Sequence, residues 1–363
     1  VSRNFCGQFT SIAINSLIKR DNHYVPHSYL KRWADDHGNV WSYRILVPHA
    51  KSSLWKAHSP KSLGFHQHLY TQMAATGESD KIERWFDSTF ESPAGRALQN
   101  AVTDQRLSSE EWVRLIRFLA AQDARTPARL LSRMKDWREN MQSLINEVTS
   151  DAVHQLEEAK RTGIPIAFEG PAADDELFPV RTMVEIQPGE ETGLLRVEAS
   201  MGRSLWLWSL KHVLTKTLDV LHQHRWTILR SPPGIEWLTS DNPVVRLNYH
   251  DAQRYDFGGG WNSLGTNIFM PLSPSHLLFT QIGSRQRLQR GTTVSLDFAM
   301  QIQRFTVEHA HRYVFGRSAD VHAALWRPRT VNREAFHAEA EQWKSWNAVQ
   351  SEAEREIFQK QTF

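Results

Sequence analysis

Near Arg225 the hydrophobic period of the chain changes, and this change does most to limit the folds open to it. Upstream, apolar residues recur at three- and four-residue steps. Downstream, "WTILR", "EWLTS", "PVVRLN", "NIFMPL" and "HLLFTQI" are short β-rich runs parted by Pro, Gly, Asp and Ser. A helical block followed by a block of strands, without βαβ alternation, predicts an α+β protein whose helical layer packs with a mainly antiparallel sheet. No repeat of fixed period is present.

The helical block is punctuated by its own residues. Ile82, Trp85, Phe86 and Phe90 mark a helix that Pro93 should bend or restart. Ser108 and Glu111 have capping-box spacing ahead of the stripe Trp112, Leu115, Ile116 and Leu119. Pro127 interrupts "AAQDARTPARLL", after which the helical pattern resumes, and "SLWLWSLKHVLTKTLDVLHQH" predicts a further helix. Before this block, "HSYLKRWAD" reads as a short helix and "VWSYRILV" as a strand. After the strands, "TVSLDFAMQIQRFTVEHAHRYVF" reads as a helix running into a strand. "NREAFHAEAEQWKSWNAVQSEAEREIF" then forms a long polar-faced helix with Phe336, Trp343, Trp346 and Ile357 available for packing on the chain or on a protein partner. The organisation expected is an N-terminal extension over 1–21, one composite domain over 22–316 with an excursion at 163–200, and a C-terminal helical segment over 317–363. The 22–70 module should pack beside the strands of 225–316.

Charge and composition exclude little. The 43 Lys plus Arg against 40 Asp plus Glu leave +3, which permits a local basic groove without demanding a polyanion. Cys6 is the single cysteine, so any metal would need His and carboxylate ligands, and the cytoplasm is the expected compartment. No apolar run approaches the roughly 20 residues of a membrane span, so no membrane association is expected. "FGGGW" lacks the order of a phosphate-binding glycine loop and reads as a turn.

Several polar clusters could carry chemistry. His23 and His27 lie four apart around Pro26, which resists the helical geometry a two-histidine face would need; His23 is open between a base, a ligand and a structural role. His66 and His68 could present both rings on one side of a strand or straddle a loop. Glu83 and Glu91 fall on one side of a continuous helix about 12 Å apart, too far to clasp one ion together. In "QDARTP", Gln122 and Arg125 sit one turn apart and could face a polar cavity; alternatively Arg125 pairs with Glu83 or Glu91. "WLTSDNPVVRLN" puts Asp241 and Asn242 in a tight turn before Pro243, where Asp241 is open between ligand, general base and turn former. Arg304 and His309 have the R-x4-H spacing used by ribonucleases of the HEPN class. With 17 histidines in the chain such a match arises easily by chance, so it carries no assignment.

The pieces "HYVPHSYLKRW", "LYT" with "IERWFDSTFE", "AAQDARTPAR", and "TSDNPV" with "PLSP" together resemble the family called domain of unknown function 4238, over roughly residues 22 to 316. The family commonly has Gln where this chain has His27, which argues against a His23/His27 metal pair. The resemblance implies a shared polar core of His23, Glu83, Glu91, Gln122, Arg125, Asp241 and Asn242, and no activity. The chemistry of those residues fits a metal-assisted phosphodiester hydrolase acting on nucleic acid or a nucleotide. His23, Asp241 and Arg125 would be catalytic, and Gln122 and Asn242 would bind substrate. A divalent ion would be held by Asp241 with Glu83, Glu91, His66 or His68. The competing reading is a non-catalytic intracellular binding or regulatory protein whose polar cluster is structural.

Overall fold

The computed structural model describes residues 18–74, 77–164, 180–186, 193–199, 201–284 and 288–361. Cys6, most of the N-terminal extension and much of the 163–200 excursion lie outside the described residues, as does the side chain of Ile357.

The chain begins with β1 (Asp21–His23) and one helical turn, α1 (His27–Leu30), followed by β2 (Val40–Arg44), β3 (Leu46–Val47), β4 (Trp55–His58) and β5 (Phe65–Gln67). The hairpin β6 (Gln72–Ala74) and β7 (Gly77–Ser79) leads to the helices α2 (Lys81–Phe86), α3 (Ser92–Val102), α4 (Ser109–Ala124) and α5 (Pro127–Thr162). Within the expected excursion, β8 (Val180–Ile186) and β9 (Gly193–Ala199) form an antiparallel hairpin, and α6 (Arg203–His212) follows. The strand-rich part holds β10 (Thr227–Arg230), β11 (Thr239–Ser240), β12 (Val245–Tyr249), β13 (Tyr255–Asp256), β14 (Asn267–Ser273) and β15 (His276–Gln281). Last come α7 (Leu296–His309), β16 (Tyr313–Gly316), α8 (Val321–Trp326), β17 (Thr330–Val331) and α9 (Arg333–Gln361).

The fold class is α+β, as the change of period indicates. One antiparallel sheet has the order β10-β15-β14-β12-β13 and a second the order β11-β16-β2-β4. The first sheet is covered on both faces. Ile228, Ile268, Met270 and Leu278 face the helical layer, where they meet residues such as Leu98, Leu115 and Leu119. Leu229, Phe269, Leu277 and Phe279 face Ala299, Ile302 and Phe305 of α7. That double burial explains why "NIFMPL" and "HLLFTQI" are nearly continuous apolar runs rather than alternating ones.

Local chemistry sets the helix ends. Ser108 and Glu111 form the expected capping box of α4. Thr126 caps α5 by accepting the Arg129 N–H, and Pro127 fills the first helical position, where no amide partner is lost. Glu83 and Glu91 do not share a continuous α-helix. A π-helical turn over Asp87–Glu91 separates α2 from α3 and resets the phase before Pro93.

The N-terminal module is fastened to the strand-rich part by buried hydrogen bonds. The Tyr29 hydroxyl donates to the Pro271 carbonyl at 2.6 Å and lies 2.8 Å from the Thr239 hydroxyl, while Trp33 Nε1 donates to the Trp237 carbonyl at 2.8 Å. The C-terminal helix packs on its own chain. Trp346 is buried, Trp343 stacks on His66, and the fully buried Arg203 of α6 donates to both Glu354 oxygens at 3.0 and 2.8 Å.

Candidate functional site

The junction between α4 and α5 is built from "QDARTPAR", whose polar side chains point two ways. Gln122 and Arg125 face the N-terminal module. Asp123, Thr126 and Arg129 face the strand-rich part.

On the first side, Arg125 is fully buried and all three of its guanidinium nitrogens donate within the chain. Nη1 meets Glu91 Oε1 at 2.6 Å and Nε meets the Tyr24 carbonyl at 3.1 Å. With the Gln122 amide turned to place its oxygen toward the guanidinium, that oxygen accepts from Nη2 at 2.6 Å. The cation also lies 4.9 Å from the Phe86 ring centroid, and the Tyr70 hydroxyl donates to the Arg125 carbonyl at 2.8 Å. A buried guanidinium left unpaired would be costly; this one is paired through each nitrogen, which makes it a fastener of α4 to the π-helical turn and the N-terminal module. Gln122 belongs to the same fastening.

His23 lies at the rim of this cluster. Its Nε2 is 3.3 Å from the Lys61 carbonyl and its ring rests against Phe65. Burial lowers its pKa, while the Lys61 hydrogen bond opposes that and the charges of Lys19, Glu91 and Arg125 reach it. Glu83 is paired with Lys19 at 2.9 Å, and burial nevertheless raises its pKa.

Asp241 and Asn242 have different tasks in the turn that carries them. Asp241 is buried, and its oxygens accept the backbone N–H groups of His311, Arg312 and Tyr313 at 2.8, 2.7 and 3.1 Å. Burial pushes its pKa up to about 6 against the pull of those three donors. The carboxylate thus pins the chain where α7 gives way to β16. Asn242 spans the two polar motifs: its Oδ1 accepts from the Thr126 hydroxyl at 3.1 Å and its Nδ2 donates to His309 Nε2 at 2.8 Å. Burial drives the His309 pKa down to about 3, with the Arg129 charge acting in the same direction, so the ring is neutral.

The residues proposed as metal ligands are committed separately. Asp241 is held by backbone amides, Glu83 by Lys19 and Glu91 by Arg125. His66 lies between the Tyr24 and Trp343 rings, and His68 Nδ1 is 3.1 Å from the Thr71 hydroxyl. Among the described residues, no three His, Cys, Asp or Glu side chains are gathered as an ion would require. The donor set named for a divalent ion therefore does not fit one, and His23 and Asp241 bond to different partners, the Lys61 carbonyl and the amides of residues 311–313.

What sequence reasoning passed over is the second face of the junction. Asp123 is buried, with a side chain only 2 % exposed, and two arginines flank it. Arg129 binds it through Nε at 3.0 Å and through Nη2; Arg246 of β12 places Nε 3.5 Å from Oδ2; and Arg133 lies near enough for its charge to act on Arg246. Trp261 Nε1 donates to Oδ2 at 2.7 Å. Burial works to raise the Asp123 pKa, but Arg129 and Arg246 outweigh it and hold the carboxyl below its ordinary value. The side chains of Arg129, Arg246 and Arg133 are 18 %, 20 % and 55 % exposed. Asp123 is inside and the guanidinium groups reach solvent, where Arg133 also lies 3.9 Å from the exposed Asp136, so the outward face keeps a small positive excess. Arg246 Nε is buried without a hydrogen-bond partner.

Elsewhere on the strand-rich part a surface groove of about 670 Å³ is lined by residues that include Tyr255, Phe257, Arg304, Glu308, Trp326 and Arg327. Phe257, on its wall, has its ring centroid 4.9 Å from that of His309, whose Nε2 meets Asn242 and whose pKa the Arg129 charge helps to lower. Arg304 is engaged by Glu308 and the Tyr255 hydroxyl while His309 turns to Asn242, so the R-x4-H pair does not act as a unit. The helical phase held the signal that was missed: Asp123, Thr126 and Arg129 lie three apart on a face of the motif that Gln122 and Arg125 do not share.

Comparison with curated proteins and with solved structures gives no match. The family model described as "Protein of unknown function (DUF4238)" matches residues 21–320, and it takes in the Arg125 cluster, the Asp241 turn and the arginines around Asp123. The chain belongs to that family.

Proposed function

We propose that the protein binds phosphate groups of a nucleic acid or nucleotide at the Arg129, Arg133 and Arg246 cluster and hydrolyses a phosphodiester held there. The observation that carries this reading is an imbalance of charge: Arg129 and Arg246 flank the buried Asp123, Arg133 acts on Arg246 while lying 3.9 Å from Asp136, and three guanidinium groups against two carboxylates leave about one positive charge. Arginine suits the task because its planar fork matches the oxygens of phosphate. Aromatic rings along the groove that holds Tyr255 and Phe257 add stacking surfaces for bases. Guanidinium groups that hold a phosphate also stabilise the charge that develops on it in the transition state, which is why hydrolysis joins the proposal. No step is assigned to a metal ion, since the named donors do not fit one. A cytoplasmic location accords with a single cysteine and with where such ligands occur.

The second reading is a non-catalytic binding or regulatory protein. It is favoured by the engagement of Arg125, Gln122, Asp241 and Asn242 in hydrogen bonds within the chain, which commits most of their polar atoms to the fold. Two measurements on the purified protein decide between these readings. Fluorescence anisotropy with labelled single-stranded DNA, RNA and a labelled nucleotide at low salt should show binding that weakens in Arg133→Gln and Arg246→Gln. Product analysis of the same substrates, with and without divalent ions, should show cleavage that those variants lose. Binding without cleavage establishes the regulatory reading, and absence of binding to every probe overturns both the phosphate site and the hydrolase.

A further inference from the structure

The four-stranded sheet has two unlike faces. Strand register places Ser42 and Arg44 of β2 on the same side as their cross-strand partners Lys56, Phe315 and Tyr313. His58, the partner of Val40, lies on that side as well. The opposite side carries Tyr43, Ile45 and Val314 into a small apolar core with Val307 and Ala310. The polar side is roofed by Phe336 of α9 and by Phe65 and His66 of β5, and a cavity of about 430 Å³ lies between roof and sheet. That volume falls in the range of small-molecule sites.

Its charge is one-sided. Arg44, Lys56, His58 and His66 line the cavity together with four serines, and none of the lining residues is acidic. Glu339, whose charge reaches Tyr24 and Tyr313, is taken by Arg312 through Nε to Oε2 at 2.5 Å. Arg44 has no carboxylate partner among the described residues. Its guanidinium carbon instead lies 4.3 Å from the Phe336 centroid and 5.3 Å from the Tyr313 centroid, and its Nε is buried without a hydrogen-bond acceptor. Ring faces do not use up the N–H donors of an arginine, and burying a guanidinium N–H without an acceptor is costly, so an anionic oxygen is favoured beside Arg44. Burial lowers the His66 pKa to about 4, so that ring meets a ligand as a neutral group.

We propose that this cavity binds a small planar organic anion, its carboxylate or phosphate on Arg44 and Lys56 and its flat apolar body among Tyr24, Phe65 and Phe336. The site shares no residue with the arginine cluster around Asp123 and does not depend on the function proposed for it. Isothermal titration of the full chain with 1-naphthoate and with adenosine 5′-monophosphate tests it, with 1-naphthamide and adenosine as their uncharged counterparts. At least one anion should bind once per chain, with its neutral counterpart about tenfold or more weaker. Which anion binds tighter identifies the headgroup. Arg44→Gln should weaken binding about tenfold or more and Lys56→Gln about three- to tenfold, with thermal melting confirming that each variant is folded. If Arg44→Gln does not fold, the exposed Lys56 decides, because unchanged affinity in Lys56→Gln overturns the proposal. So does equal binding of charged and neutral probes, or the failure of both anions to bind at millimolar concentration.

Discussion

The Thr126 hydroxyl donates to the Asn242 carboxamide oxygen at 3.1 Å across 116 positions of sequence, and through this one bond the α4–α5 junction meets the turn before β12. The same hydroxyl accepts the Arg129 N–H as a helix cap, and the Asn242 amide passes the connection on to His309. A chain of buried hydrogen bonds of this kind specifies geometry more than it adds stability, because each member is costly only when its partner is lost.

Thr126→Val keeps the shape of the side chain and removes both bonds. Denaturant unfolding should show a loss of about 1 to 3 kcal/mol, the sum expected for a cap and a buried acceptor left without its donor. A double-mutant cycle with Asn242→Ala should give a coupling of about 1 kcal/mol. Strict additivity would show that the bond carries no energy.

Asp241→Asn tests whether that residue is a structural pin. The substitution preserves volume but turns an amide donor toward at least one of the N–H groups of His311, Arg312 and Tyr313. Destabilisation of about 2 to 4 kcal/mol is expected. A variant as stable as the parent, with phosphodiester cleavage abolished, would restore Asp241 to the catalytic role and refute the structural one.

Arg133→Gln removes the most exposed of the three guanidinium groups and leaves the buried carboxylate its two closest partners. The fold should be unaffected. Nucleic-acid affinity should fall several-fold, and the slope of log K against log salt should become shallower by about 1, as for one lost phosphate contact. An unchanged slope in anisotropy titrations from low to high salt would show that the cluster does not meet phosphate.

Acid should destabilise the protein through its buried histidines. Burial holds His66 at about 4 and His309 and His311 at about 3, below the ordinary histidine value. Between those values and about 6.5 the unfolded chain binds more protons than the folded one, so stability present above about pH 6.5 is lost as pH falls. Each histidine contributes a loss of about 2 kcal/mol at pH 5. Asp241 acts in the opposite sense, since its raised pKa favours the protonated folded state and returns about 1 kcal/mol over the same interval. Thermal melting at pH 7.5 and pH 5 should therefore show a clear net loss, and His309→Gln should flatten the slope. Equal stability at the two pH values would contradict the neutral, buried state of these rings.

Much of the architecture was legible in sequence because local chemistry is enough to state it. The capping box at Ser108 and Glu111, the break at Pro127 and the apolar runs after Arg225 each follow from interactions within a few residues. For Arg125 the sequence leaves two readings open, a ligand-facing cation or a pair with Glu83 or Glu91, and the structure shows the pair with Glu91. Tertiary structure alone decided which face of "QDARTPAR" meets solvent. Helical spacing says that Gln122 and Arg125 share a side, but not that this side closes on Glu91 and Tyr24 while Asp123 and Arg129 open toward Arg246. It decided that Asp241 spends its charge on backbone amides some 70 positions away, which no local pattern records. It also decided that Arg44 stands without an acid between Tyr313 and Phe336, because strand register and the seat of α9 are set by cooperative packing over the whole chain. Sequence fixes which groups must find partners; long-range packing chooses the partners, and with them the groups left over for a ligand.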